Sequence, residues 1–268
     1  MFLFALGLIV GLVLALTGAG GTIIAVPLLM FGMGWTLTQA SPVALAAVAC
    51  SAAVGTIVGL RAGIVRYRAA LLMAACGMVT MPLGLYGAHH LPLLPLTLAF
   101  SALLLGVAVR TFLQARAPDH AVTSSTTEIA QAPCLIDPRT GRFRWTDRCG
   151  RALSAAGLGT GLLSGLFGVG GGFLIVPALR RVTDLSIAGT IATSTMVIGL
   201  VSASTAITAA IAGHLPGFAA AWFAAGAVGG MLVGRLVATR ITGPRLQQGF
   251  AVLTAGAAVA VAVRALVG

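Results

Sequence analysis

The chain has 268 residues, of which 59% are hydrophobic and 8% are charged, and its mean hydropathy is +1.06. Soluble globular domains carry about a quarter charged residues, so this composition excludes that class. It also excludes a disordered chain, which needs polarity and charge. The apolar runs are continuous rather than alternating, which favours helical spans over the strands of an outer-membrane barrel. We therefore predict an all-α polytopic membrane protein.

An excess of basic residues, 16 against 5 acidic ones, gives the chain a net charge of +11. Every basic residue is an arginine. Membrane proteins concentrate basic residues in cytoplasmic loops. We therefore expect the protein to interact with the lipid bilayer and not with nucleic acid. The sequence leaves the oligomeric state open.

The four cysteines contain no CxxC pair that would indicate a zinc site. Cys50 and Cys76 lie in apolar segments, whereas Cys134 and Cys149 lie in a polar segment. We predict free thiols and no bound metal.

The second half of the chain repeats the first at a constant shift of 150 positions, so residues 1–118 align on 151–268 without a gap. A repeat of this length indicates a duplicated structural unit. Because the N-terminal pattern recurs at 151–179, we interpret it as mature structure and not as a signal peptide. Identical pairs include Gly7 and Gly157, Gly11 and Gly161, Gly18 and Gly168, Gly20 and Gly170, Gly21 and Gly171, Pro27 and Pro177, and Gly84 and Gly234.

Each half begins with a glycine-broken apolar segment, followed by three segments of about 20 residues, long enough to span the hydrocarbon. The predicted segments are 2–16, 22–33, 41–60, 69–88 and 95–113 in the first half, and 153–166, 172–180, 187–212, 217–239 and 246–267 in the second. We predict a first transmembrane repeat at 1–116, a cytoplasmic linker at 117–150 and a second transmembrane repeat at 151–268. Within the linker, residues 136–145 form either a small hairpin or a plain connector.

The broken segment allows two topologies. It either crosses the membrane once as a discontinuous helix, which makes the halves parallel, or it turns back as a re-entrant hairpin, which makes them inverted. In the inverted arrangement with the N-terminus outside, Arg264 alone lies outside. In the parallel arrangement, Arg180, Arg181, Arg235, Arg240 and Arg245 lie opposite the other arginines. The positive-inside rule favours inverted repeats.

The side chains inside the apolar segments include few groups that could take part in catalysis or ligand binding. No acidic residue lies in the middle of one, and His89, His90 and His214 lie at predicted segment ends. No Ser/His/Asp arrangement, metal-ligand cluster or nucleotide-binding loop is present. We therefore predict no enzyme, no cofactor and no metal site.

The glycine breaks are the strongest candidates for a binding site. Each precedes a short helix whose N-terminus presents free N–H groups and the positive end of the helix dipole. Irregular backbone at membrane depth is tolerated where it is buried or lines a cavity, and two breaks facing each other near the midplane would bind an anion. Alternatively, the glycines only permit tight helix packing.

Hydroxyl groups early in the segment 187–212 would complete this site, unless they bond to carbonyls of their own helix. The predicted substrate-binding residues are Gly18, Gly20, Gly21, Thr22, Pro27, Gly168, Gly170, Gly171, Gly172, Pro177, Thr193 and Ser194.

The sequence resembles the sulfite exporter TauE/SafE family of membrane transporters. The resemblance rests on Gly11-x6-Gly18-x-Gly20-Gly21-x5-Pro27, on Gly161-Leu-Leu-Ser-Gly-Leu-Phe-Gly-Val-Gly-Gly-Gly-Phe-Leu-Ile-Val-Pro177, and on the Ala192-Thr193-Ser194 step. The first half departs from the second, with Ala19 and Thr22 in place of Val169 and Gly172, and it has no Thr-Ser step. The resemblance implies transport of small sulfur-containing or organic acid anions across the bacterial inner membrane, often outward.

We therefore predict a secondary transporter or facilitator of a small anion. An alternative is a membrane anchor or assembly partner that transports nothing and recruits a soluble protein through the linker 117–150. Flux measured in proteoliposomes separates the two.

Reporter fusions test the predicted inversion of the repeats. A topology reporter placed after residue 35 and one placed after residue 185 are expected to report opposite faces of the membrane, because the second repeat is inverted. Reporters that fall on the same face at both sites would contradict the prediction.

Overall fold

The computed structural model describes residues 1–18, 20–90, 92–116, 134, 145–167, 172–211, 213, 217–238, 252 and 254–263. This part of the chain is almost entirely helical. The helices are α1 (Phe2–Thr17), α2 (Gly20–Met33), α3 (Leu37–Arg61), α4 (Tyr67–His90), α5 (Leu93–Arg116), α6 (Asp147–Phe167), α7 (Gly172–Val182), α8 (Ile187–Ile211), α9 (Gly217–Ala238) and α10 (Thr254–Val263). They follow the predicted order, five in each half.

Four of the described helices, α3, α4, α8 and α9, are long and apolar enough to cross a membrane. They correspond to the predicted segments 41–60 and 69–88 of the first half, and 187–212 and 217–239 of the second. Together with the absence of any strand in the described residues, they confirm the all-α polytopic class.

Helices α1 and α2 form a hairpin. They have 16 and 14 residues, roughly 24 and 21 Å, and each is therefore shorter than a hydrocarbon core of about 30 Å. Gly21 packs against Leu14, and Gly32 at the far end of α2 packs against Leu6 and Phe2. The two helices are thus antiparallel, so the chain turns back at the break, as the re-entrant topology requires.

The helices of the two halves are interleaved. The first helix of each half packs along the fourth helix of the other, so that α1 lies on α9 and α6 lies on α4. The contacts of α2 with α3 and of α3 with α9 likewise recur as those of α7 with α8 and of α8 with α4. The shift of 150 residues that relates the sequences therefore also relates the packing.

Helices α3 and α8, which hold equivalent places in the two halves, pack against each other. Gly59 lies by Ala192, Gly55 by Thr195 and Gly199 by Ala52. As residue numbers rise on α3 they fall on α8, so these equivalent helices are antiparallel. This contact supports the prediction of inverted repeats.

Glycine allows the interleaved helices to touch through their backbones. A Cβ on Gly11 would collide with the carbonyl group of Ala227 in α9, and one on Gly161 with the backbone of Gly77 in α4. Helices in lipid gain little hydrophobic energy by associating with each other, and close van der Waals packing at small residues replaces it. Both inter-repeat contacts depend on this close approach.

The first helix of the second half begins before the predicted segment 153–166. Helix α6 starts at Asp147, inside the predicted linker, and Asp147 places a carboxylate in the first turn, where the helix dipole favours it. Apart from Trp145, the predicted hairpin at 136–145 lies outside the described residues.

The prediction of free thiols at Cys134 and Cys149 was wrong, because the two residues form a disulfide with Cα atoms 4.8 Å apart. The backbone N–H of Cys134 also donates to the carbonyl oxygen of Val182 at 3.0 Å. The linker is thus fixed both to the start of α6 and to the end of α7. A spacing of 15 residues with no motif gives no sign of this pairing, which arises where the chain folds back onto α7.

Replacing Gly161 by alanine tests the backbone contact between α6 and α4. The added methyl group has no room against Gly77, so we expect destabilisation of about 1–3 kcal/mol, measured as a lower melting temperature in detergent. Gly106→Ala in α5 is the matched control, because nothing lies within 4 Å of its Cβ position and alanine favours a helix. Equal melting temperatures for the two variants would contradict this explanation.

Candidate functional site

The first break is a buried left-handed turn. Helix α1 ends at Thr17, and Gly18 has φ +70° while its N–H donates to the carbonyl oxygen of Leu14 at 2.8 Å. A Cβ on Gly18 would lie 2.8 Å from Cγ2 of Ile191 in α8. Glycine is therefore needed here for its backbone conformation and for its lack of a side chain.

Ser194 of α8 holds this turn in place. Its Oγ lies 3.0 Å from the carbonyl oxygen of Gly18 and 2.9 Å from that of Ile191, so one hydroxyl proton serves two acceptors. Ser194 is fully buried. The predicted hydroxyl of the second repeat thus contacts the predicted break of the first repeat.

Thr193 has a different role from its neighbour. Its Oγ1 accepts a hydrogen bond of 3.1 Å from the backbone N–H of Arg66, in the connection between α3 and α4. The side-chain Nε of Arg66 is buried and has no hydrogen-bond partner within the described structure. The pair Thr193 and Ser194 therefore joins α8 to the first break on one side and to an arginine-bearing turn on the other.

Helix α2 begins directly after the turn. Gly20 and Gly21 form its first residues, and Gly21 is close to Leu14, with 2.7 Å between its Cβ position and Cβ of Leu14. Thr22 lies in the first turn. Pro27 is buried inside α2, where it cannot supply the N–H that the carbonyl of Ile23 would accept in a regular helix.

The second break can be followed only at its borders. Gly168, Gly170 and Gly171 lie outside the described residues, so their predicted role stays a prediction. Gly172 is buried and begins α7, which contains Pro177. The structure thus describes the positions of the first-repeat members, of Gly172 and Pro177, and of Thr193 and Ser194, whereas their role in binding stays a prediction.

The two hairpins point toward opposite ends of the bundle. Gly18 contacts Ser194, near the start of α8. At the end of α6, Gly165 packs on Met81 of α4, whose sulfur accepts a hydrogen bond from Thr205, near the end of α8. Ser194 and Thr205 are about 16 Å apart along the helix axis. The described ends of α1 and α6 thus lie at different levels along α8. The expectation that the breaks face each other near the midplane involves residues 168–171, which lie outside the described part of the chain, and it stays a prediction.

The buried hydroxyl groups are distributed unequally between the halves. Most of the fully buried polar side chains in the described spans belong to the second repeat, and their first-repeat equivalents are aliphatic. They are Thr160, Ser164, Thr190, Thr193, Ser194, Thr195, Ser202 and Thr254, and the residues 150 positions earlier are Val10, Leu14, Ala40, Val43, Ala44, Leu45, Ala52 and Leu104.

Sequence reasoning missed Ser164 within this set. Its only signal in the sequence is that the aligned residue of the first repeat is Leu14, an apolar side chain. No group of three or more His, Cys, Asp or Glu residues that could hold a metal occurs in the described part of the chain.

Helical hairpins packed among long apolar helices, in two related halves, occur in many membrane transporters. The sequence model of the sulfite exporter TauE/SafE family matches residues 3–261, and the chain belongs to this family. Proteins of two Xylella fastidiosa strains, Temecula1 and 9a5c, each named a probable membrane transporter protein, are 30% identical to it over 243 residues. The alignments cover 88% of this chain and 84% of each relative. No solved structure matches the chain.

Replacing Gly18 by alanine tests the requirement for glycine in the first break. Both the left-handed conformation, which costs an L-residue about 1–2 kcal/mol, and the contact with Ile191 should destabilise the variant and reduce transport. Gly63→Ala is the matched control, since Gly63 has φ +69° with nothing within 4 Å of its Cβ position. It should show the conformational cost alone. A Gly18 variant no less stable than the Gly63 variant would show that the contact is unimportant.

Proposed function

We propose that this membrane transporter moves a small anion, such as sulfite, an organosulfonate or a related sulfur-containing or organic acid anion, out of the cell across the bacterial inner membrane. The observation that carries the proposal is the buried break at Gly18, directly before the start of α2. Ser194 of α8 holds this break by a hydrogen bond. Helix N-termini bind anions through free N–H groups and the helix dipole, without a formal charge.

The charges of the described chain favour an anion over a cation. The described acidic residues, Asp147 and Asp184, lie at the start of α6 and just after α7, away from the interiors of α3, α4, α8 and α9. Arg66 and Arg235 approach the helices that surround the first break, and the guanidinium of Arg235 lies beside Gly59 of α3. A cation would find no carboxylate at this depth, whereas an anion would meet positive potential.

The arginines also support an orientation in the membrane. Because α4 and α6 are parallel and α3 and α8 are antiparallel, most of the described arginines lie at one end of the bundle, the end that carries the linker. This end should therefore be cytoplasmic. The arginines concerned are Arg61, Arg66, Arg68, Arg148, Arg151, Arg180, Arg181 and Arg235.

Two hairpins of opposite orientation are suited to alternating access. Each would close the path from one side while rocking of the interleaved halves opens the other, as in transporters built from inverted repeats. The first hairpin turns near the arginine-rich side. Its equivalent in the second repeat would turn near the opposite side, so each hairpin would control one entrance.

Flux measurements on the purified protein in proteoliposomes test the proposal. We expect accumulation of sulfite or methanesulfonate by wild type and loss of flux in Gly20→Leu, because a leucine at the start of α2 blocks the approach of a ligand to its N–H groups. Gly106→Leu, whose Cβ position faces open space, should retain flux. If wild type moves none of sulfite, methanesulfonate, sulfate and acetate, the proposal is wrong and the anchor alternative is favoured.

A further inference from the structure

Two buried hydroxyl groups in the second repeat have no hydrogen-bond partner among the residues that the structure describes. Ser164 of α6 and Ser202 of α8 are both 0% exposed, and the Oγ of each is without a partner in the described structure. Folded proteins satisfy nearly all such groups, because an unpaired buried donor keeps its full desolvation penalty. Other buried hydroxyls of the bundle bond to carbonyls, as Thr160 does to Gly157 and Ser51 to Ala47.

The two hydroxyls lie at one level of the bundle. Gly77 of α4 lies next to both Gly161 of α6 and Val201 of α8, and one turn later Met81 contacts both Gly165 and Thr205. Helices α6 and α8 therefore both pack on α4 at this level. Ser164 and Ser202 lie in the segments of these helices that contact α4.

Helix α7 begins beside the same level. It packs on both α6 and α8, and Cδ2 of Leu174, in its first turn, approaches the Cβ position of Gly159 to 4.0 Å. In the first repeat, Leu14 packs directly on Gly21 at the start of α2, and Ser164 is the equivalent of Leu14. If the second repeat packs as the first does, Ser164 lies next to the N-terminal end of α7.

The residues at the equivalent positions of the first repeat are apolar, so packing alone does not require these serines. Leu14 and Ala52 fill the equivalent positions in the first repeat and are fully buried. Replacing a buried leucine by serine removes apolar contacts and adds a desolvated hydroxyl, which destabilises the fold. Such a cost is typical of a binding site in which a ligand supplies the missing partner.

We propose that the hydroxyl groups of Ser164 and Ser202 donate hydrogen bonds to the oxygen atoms of the transported oxyanion, beside the N–H groups at the start of α7. This inference rests on the proposed function and refines its substrate class to oxyanions with at least two free oxygens. The second repeat supplies these polar contacts, whereas the first repeat supplies aliphatic walls at the equivalent positions.

Binding and melting experiments on the full-length protein in nanodiscs test this inference, with sodium sulfite as the probe. Ser164→Ala and Ser202→Ala should each weaken sulfite binding about tenfold or more, because a hydrogen bond to a charged group is lost. Without sulfite, both variants should melt at or above the wild-type temperature, since the hydroxyl removed had no partner. Ser51→Ala is the matched control: it should melt lower, because Ser51 bonds within its helix, and should bind sulfite within about twofold of wild type.

The outcomes separate this inference from the proposed function. Wild-type binding that is unchanged in both serine variants overturns the inference and leaves anion transport standing. Melting temperatures of the serine variants that fall as far as that of Ser51→Ala overturn it as well, because the hydroxyls then have protein partners. Absence of sulfite binding by wild type, together with absence of flux, overturns both.

Discussion

The structure depends on backbone contact between helices of different repeats. Glycines on α1 and α9, and on α6 and α4, remove the side chains that would separate these pairs. In lipid this close approach replaces the hydrophobic effect as the source of association. Because the first helix of each half is held by the fourth helix of the other, neither hairpin has a complete packing surface within its own repeat, and the two repeats form one structural unit.

This interleaving determines where each hairpin lies in the bundle. Helix α1 carries its break to the start of α8, where Ser194 and Ile191 enclose Gly18. Helix α6 runs parallel to α4, and Gly165 near its end packs on Met81. The buried hydroxyls lie mostly on α6 and α8, whereas aliphatic side chains occupy the equivalent positions of α1 and α3. A hydroxyl of the second repeat therefore contacts the break of the first repeat, as Ser194 does at Gly18.

The sequence was sufficient to predict the membrane class, the duplication and the positions of the breaks, because each depends on composition or on a constant shift. The antiparallel course of α1 and α2 could only be inferred from arginine positions, since glycines at 18, 20 and 21 are compatible with a turn or with a discontinuous span. The depth of the second break depends on residues 168–171, outside the described residues, so the predicted meeting of the breaks stays a prediction. The disulfide between Cys134 and Cys149 and the unpaired hydroxyl of Ser164 depend on contacts between distant segments, which a single sequence does not record.

The disulfide has a consequence for any attempt to separate the repeats. Cys134 and Cys149 lie on either side of the junction that a protease or an engineered split would cut. A chain cleaved between them would still migrate as a single species on a denaturing gel until a reductant was added. The two pieces of a nicked protein would thus stay tethered through folding and purification.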